Sequence, residues 1–269
     1  IDELSKRGFG EALYSTLTPE QRQATLILKD ADEMGEMIAR REEAMAAELL
    51  RTNGYVMRHY ADDLSKYDEK EIRFYSGGSN PAIYTPTKDW DDEAATIIDD
   101  IAAMARLLTA RGLPATDLIV APDVADAILS NPKIQKLLDI RNYNIGTVDP
   151  VELPAGAARV AVLNIKGRVI SVYSYDETYE NDAGTATQYI PAGYAILTAP
   201  AAGRTLYGAV SQVEQSDGLF HTYTGRRVPK YISSAEGNTR SLTLTSCPLL
   251  IPNNKNAWIS AQVIKELKP

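Results

Sequence analysis

The 269-residue sequence predicts an α+β fold organised around one very long helix. Residues 19–52 read as a single uninterrupted helix, residues 92–139 as helix, strand, helix and helix, and from Arg159 onward strand patterns follow one another between turn signals. Helices gathered early and strands gathered late are the mark of an α+β arrangement.

The long helix has a marked start and end. Thr18, Pro19 and Gln21 form a capping box with proline at the first helical position, where its missing N–H costs nothing. Asn53-Gly54 supplies the left-handed residue that closes it. Between them Ile27, Ala31, Met34, Ile38, Met45 and Leu49 recur at helical steps, a narrow apolar stripe, while Glu33, Glu36, Arg40, Arg41, Glu42, Glu43 and Glu48 cover the other sides. At 1.5 Å per residue the rod is about 50 Å long. A globule of this chain length has a radius of gyration of roughly 18 Å, so the expected shape is elongated or plate-like. The competing reading is two shorter helices, because Asp30 with Glu33 is a second capping signal and Gly35 costs about 1 kcal/mol inside a helix.

Extended segments follow at 55–59 and 72–75, before the turn Gly77-Gly-Ser-Asn-Pro81, and read as sheet edge. Asp91 or Asp92 is expected to cap a second helix, with Ile97, Ile98, Ile101, Ala105 and Leu108 on one face and Gly112 at its end. Asp117–Ala121 is a buried strand, and Pro122 and Pro132 each open a short helix. Strands are expected at 160–162, 169–175, 185–190, 194–198 and 205–213. The basic stretch 224–231 then separates them from two last strands, 240–251 and 257–264.

With 44% hydrophobic and 24% charged residues the composition is that of a folded chain with ample core. No apolar run is long enough to span a bilayer, and the chain opens at Ile1 without an initiator methionine. A net charge of −8 argues against a nucleic-acid reader, which carries a basic face; it does not exclude a container wall that must not stick to nucleic acid, and solubility alone explains the same number. The single cysteine, Cys247, permits no internal disulfide and is expected to be buried filler in a strand.

Catalytic motifs are absent: no phosphate loop, no dinucleotide fingerprint, no nucleophile elbow and no HExxH pair. His59 and His221 are read as solvated or interface histidines. Asp89, Asp91, Asp92 and Glu93 are oxygen ligands of the type that suits a hard cation, which leaves a metal-dependent hydrolase as a rival, but capping of the helix that follows is the simpler account. Asp62, Asp63, Asp68 and Glu69 read as a solvated loop. No catalytic residue, metal ligand or cofactor is assigned.

Taken in order, Arg41–Tyr55, Trp90 with its acidic neighbours, Arg226-Arg-Val-Pro-Lys230 and Leu242–Ile251 with the closing strand through Trp258 and Val263 resemble the major capsid protein E family of lambda-like tailed phages. The resemblance covers nearly the whole chain. It implies the HK-ninety-seven-type capsid fold, with a spine helix at 18–52, a peripheral domain at 1–91 and 201–240, and an axial domain at 92–200 and 241–269. An N-terminal arm and an extended loop normally precede the spine helix, and they are expected upstream of Ile1.

The implied function is a non-catalytic head subunit of a phage or prophage, self-associating into pentamers and hexamers around packaged DNA that it encloses without reading. Scaffold and decoration proteins are candidate partners, no membrane is involved, and the implied location is the virion after assembly in the host cytoplasm. The alternative structural role is a tail or portal-associated protein. Subunit contacts are expected at Glu36, Arg40 and Arg41 on the helix and at Arg226, Arg227 and Lys230 on the basic segment, where the three cations with Tyr223 and Tyr231 also resemble a small phosphate-binding patch.

Overall fold

A computed structural model describes residues 19–60, 67–139, 146–147, 151–152, 156–181, 184–234, 237 and 239–265. The chain divides into two compact units, one taking it up to Glu42 together with Leu206–Leu249, the other Glu43–Thr205 and the chain from Leu250 on. Within the second unit, buried polar bonds tie the end of the long helix to residues late in the chain: Asn53 Nδ2 donates to Asn256 Oδ1 at 3.0 Å, and Tyr55 Oη exchanges bonds with the backbone of Leu250.

Helix α1 (Pro19–Thr52) is one 34-residue element, so Gly35 does not split it. Thr18, half of the expected capping box, lies outside the described residues. At the other end Asn53, at φ +56°, donates its N–H to the Leu49 carbonyl at 2.8 Å, so asparagine itself takes the left-handed position. The stripe is narrow as expected. Leu26, Met45 and Leu49 are buried, Ile27, Ala31, Met34 and Ile38 are half-buried, and Leu28 and Met37 face solvent.

In the second unit an eight-stranded mixed sheet carries the core. It contains β3 (Ile83–Tyr84), β4 (Asp117–Val120), β5 (Gly146–Thr147), β6 (Val151–Glu152), β7 (Ala157–Ile165), β8 (Arg168–Tyr175), β11 (Tyr194–Thr198) and β18 (Ile259–Gln262), in the order β3-β18-β11-β4-β8-β7-β5 with β6 also on β7. The β3–β18 and β4–β8 pairs are parallel, the others antiparallel. Helix α2 (Ile97–Ala110) packs on β7, β11 and β18, and α3 (Pro122–Ser130) on β8 and on α4 (Pro132–Asp139). Ile97, Ile101, Met104, Ala105 and Leu108 follow helical spacing and are buried, as are Leu118, Val120, Ile170, Val172, Ile196, Leu197, Trp258 and Ile259 of the sheet. Also in this unit are the hairpins β1 (Gly54–Tyr60) with β2 (Tyr67–Arg73) and β9 (Thr178–Glu180) with β10 (Ala186–Gln188).

Several expectations are corrected. Helix α2 begins at Ile97 with Thr96 before it, and neither Asp91 nor Asp92 caps it; Asp92 Oδ1 instead accepts from Ala94 N at 2.8 Å and closes a tight turn ahead of the helix. The expected strand 205–213 is two strands, β12 (Gly203–Tyr207) and β13 (Ala209–Val213), parted at Gly208, whose N–H donates to the Cys247 carbonyl at 2.8 Å. The expected strand 240–251 likewise breaks at Ser246-Cys247 into β16 (Thr239–Thr245) and β17 (Pro248–Pro252). Cys247 is exposed because it occupies that break. Most of the basic stretch is not a connector: β14 (Phe220–Thr224) pairs with β13, β15 (Val228–Ser234) pairs with β16, and only residues 225–227 turn between them. Asp68 and Glu69 lie on strand β2 and not in a loop, while Asp62 and Asp63 fall outside the described residues.

Beneath α2, Asp100 is buried and accepts from Trp90 Nε1 at 3.0 Å and from Tyr84 Oη at 2.8 Å. Burial first, and then this bond to a carboxylate, push the Tyr84 hydroxyl up from near 10 to about 12. The raised value favours the protonated phenol in the folded state. Its contribution is therefore complete below pH 10 and is lost as the pH climbs toward 12. Equilibrium unfolding between pH 9 and pH 12 should show a shallower alkaline loss for Tyr84→Phe than for the parent chain; parallel profiles would dismiss Tyr84 as a source of alkaline sensitivity.

Candidate functional site

A charged residue that folding removes from water must be paired or it destabilises the fold. Glu42 of α1 is such a residue. Its carboxylate, with the side chain 11% exposed, accepts from Arg227 Nη1 at 2.7 Å. Tyr207 Oη of β12 donates to it at 3.2 Å, Ser246 Oγ stands at 3.5 Å and Arg226 Nη2 at 3.7 Å. All of these belong to the first unit, where the turn 225–227 and the 246–247 break bring their side chains onto the helix.

Two of the six residues expected at subunit contacts therefore gather around Glu42. Arg227, 19% exposed, is committed to Glu42 within its own chain, whereas the Arg226 side chain remains 65% exposed. Glu36 and Arg40 form the i,i+4 pair at 3.5 Å with both side chains mostly in solvent, a contact worth a few tenths of a kcal/mol. Arg41 is exposed on α1 and Lys230 is half-exposed on β15. Sequence reasoning passed over Glu42 itself, although a signal existed: it fills the helical step between Ile38 and Met45, on the apolar stripe.

The acidic residues proposed for a cation go elsewhere. Asp89 Oδ2 accepts from Lys265 N at 3.3 Å with Lys265 Nζ 3.9 Å from Oδ1, and Asp92 Oδ2 lies 3.6 Å from Lys88 Nζ. Among the described residues no group of three or more His, Cys, Asp or Glu side chains is placed to hold a metal ion. His221 Nε2 meets Asp217 Oδ2 at 2.8 Å on the exposed β13–β14 turn, and the side chain of His59 lies outside the described residues.

Among the described residues of the second unit are two cavities that bear on function. One, of about 350 Å³, is lined by Asp117, Ile119, Tyr173, Tyr175 and Thr198, and burial pushes the Asp117 carboxyl up. Tyr175 there donates to Glu43, with Glu177 Oε2 at 2.8 Å, so its hydroxyl is held protonated far above the usual phenol range, first by burial and then by these carboxylates. The other cavity, of about 320 Å³, is lined by Leu49, Leu50, Ala199, Arg204, Leu250 and Trp258. Neither lining includes a histidine or a cysteine. No helix among the described residues is long and apolar enough to cross a membrane.

A family model described as phage major capsid protein E matches residues 2–263. Among solved structures, one assigned to a prophage capsid protein of E. coli CFT073 is similar at a TM-score of 0.71 and 16% identity, covering 95% of this chain and 71% of that one. A phage-related protein from Bordetella bronchiseptica RB50 is similar at 0.50 and 10% identity, over 89% of this chain and 67% of its own. No curated protein sequence matches. The α+β class expected from the residues, and the tailed-phage capsid fold that the family resemblance implies, are thus the fold observed.

Proposed function

Since this chain belongs to the phage major capsid protein E family, we propose that it self-associates into the pentamers and hexamers of an icosahedral phage or prophage head around double-stranded DNA. Capsid function itself follows from the family. The observation that carries the finer reading is the unbroken helix Pro19–Thr52, lined on one side by a narrow apolar stripe and otherwise charged, which leaves polar faces for neighbouring copies. Contacts of this type are head-to-tail, one surface meeting a different surface of the next copy, and they form rings where the rotation between copies closes.

In this reading residues 1–91 with 201–240 are peripheral, residues 92–200 with 241–269 axial, and an arm and extended loop precede the spine helix. Glu36, Arg40, Arg41, Arg226 and Lys230 are contact residues, and Arg227 braces the turn that presents Arg226. The acidic chain encloses DNA without sequence-specific binding, scaffold and decoration proteins are candidate partners, and assembly takes place in the host cytoplasm before the protein resides in the virion. The role is structural, without catalysis.

Electron microscopy of the full-length protein, paired with sedimentation, is the direct test. Closed shells or hexameric rings are expected. A monodisperse monomer at every concentration would overturn the reading, and tubes would move the protein to the tail. Charge reversal at Arg41 and Lys230 together should reduce particle yield at least ten-fold with unchanged thermal stability, since surface charges contribute little to folding.

A further inference from the structure

Phe220 is the most exposed large apolar residue of the described chain, at 79%, and Leu219 beside it is 63% exposed. Isolated exposed apolar residues are ordinary, but this pair is held in place. Leu219 N donates to Asp217 Oδ1 at 3.0 Å, Glu214 N to the Leu219 carbonyl at 3.0 Å and Gly218 N to the Glu214 carbonyl at 3.0 Å, so the turn from 214 to 219 is closed on itself. Gln215 ties the same turn to β15, accepting from Ser233 N at 2.9 Å. An apolar side chain on a preorganised turn forfeits little entropy on binding.

The turn is also acidic. Bonds from Gln212 and Tyr223 hold the Glu214 carboxyl below the usual carboxylate range, and the Leu219 N–H and His221 do the same for Asp217. Two such turns meeting would set like charges against each other.

The second unit offers the complement. Its cavity of about 320 Å³ is walled by Leu49, Leu50, Ala199 and Leu250 over the fully buried Trp258 ring. An apolar cavity of about 150 Å³ already holds a benzene ring. Arg204 at its edge is exposed and makes no ion pair among the described residues, so the charge beside the cavity is opposite to that of the turn. The other cavity is lined by Asp117 and is the wrong sign.

We propose that Phe220 of one copy of this chain seats in the cavity lined by Leu49, Leu50, Leu250 and Trp258 of a second copy, with Arg204 facing the acidic turn. The contact rests on the self-associating reading above. Knob and cavity are built from different residues, so the contact is heterologous and joins copies into a ring where the rotation between them closes.

Mixed single-cysteine cross-linking tests it in the full-length protein. In a Cys247→Ser background, one preparation carries Leu219→Cys, which keeps Phe220 and sits beside it on the exposed turn, and the other Ala202→Cys, at a residue that lines the cavity. The two are co-assembled and treated with a short bismaleimide. The expected result is a cross-linked mixed dimer at least ten-fold more abundant than dimers from either preparation alone. Particles or rings without that excess would discard this contact and leave the shell reading intact; absence of any assembled species in the parent protein would discard both. Phe220→Ala should keep the parent thermal midpoint, as an exposed residue must, and raise the concentration needed for assembly at least ten-fold. An unchanged assembly concentration counts against the contact.

Discussion

Gly193→Ala is expected to lower the thermal midpoint of the second unit by about 10 °C, or to prevent its folding. Gly193 precedes β11 at φ +79°, and a Cβ there would stand 2.2 Å from the Ile264 carbonyl oxygen. The left-handed backbone alone costs an alanine roughly 1–2 kcal/mol. The clash adds more, because the atom in the way is backbone and moves only by giving up the bonds that hold it. The Gly193 carbonyl accepts from Val263 N at 2.7 Å and from Ile264 N at 3.2 Å, and its N–H donates to Asp123 Oδ2 at 2.8 Å, so one residue joins β11, the start of α3 and the chain after β18. Losing bonds of this kind costs about 0.5–1.5 kcal/mol each. Gly112→Ala is the control, since Gly112 has a similar φ of +73° and nothing within 4 Å of the added carbon. Equal losses for the two variants in thermal melts would mean that the Ile264 contact contributes nothing.

Glu42→Ala should be the other severe change, destabilising the first unit by about 3 kcal/mol. It strands Arg227, only 19% exposed, and removes the acceptor of Tyr207 Oη. Removing one partner of a buried pair is worse than removing both, because the survivor stays charged and unsolvated. The double variant Glu42→Met with Arg227→Met is therefore expected to recover most of the loss. A double-mutant cycle by urea unfolding reads this directly. Additive losses would refute coupling, and single losses under about 0.5 kcal/mol would reduce the pair to an ordinary surface contact. The same variants bear on assembly, for Arg227 braces the turn that presents Arg226.

The elements legible in the sequence are those whose signals are local. Helix α1 ends where Asn53 turns left-handed, and α2, β4, α3 and α4 carry apolar spacing, proline starts or continuous apolar runs within a dozen residues. The capsid family was legible from the order of several weak segments along the chain, which the family match over residues 2–263 bears out. The hairpins of the first unit were not. Strand β15 loses its alternation after Lys230, with Tyr231, Ile232, Ser233 and Ser234 all exposed, so its pattern resembles a polar connector.

Charge and polarity on their own determined which faces are wet, and that the chain holds no recognisable catalytic motif. Only the tertiary structure decided which charge is buried. Glu42 has the same chemistry as Glu43 and Glu48, and what distinguishes it is Arg227, Tyr207 and Ser246, residues 165 to 204 positions away that folding brings to its carboxylate. Likewise Asp92 closes a turn and not a helix, and Cys247 is exposed and not core, because strand breaks and turn bonds are settled by partners across the chain. Local sequence sets backbone preference and apolar spacing; the pairing of a polar group is a property of its neighbours in space, and those are chosen by the fold.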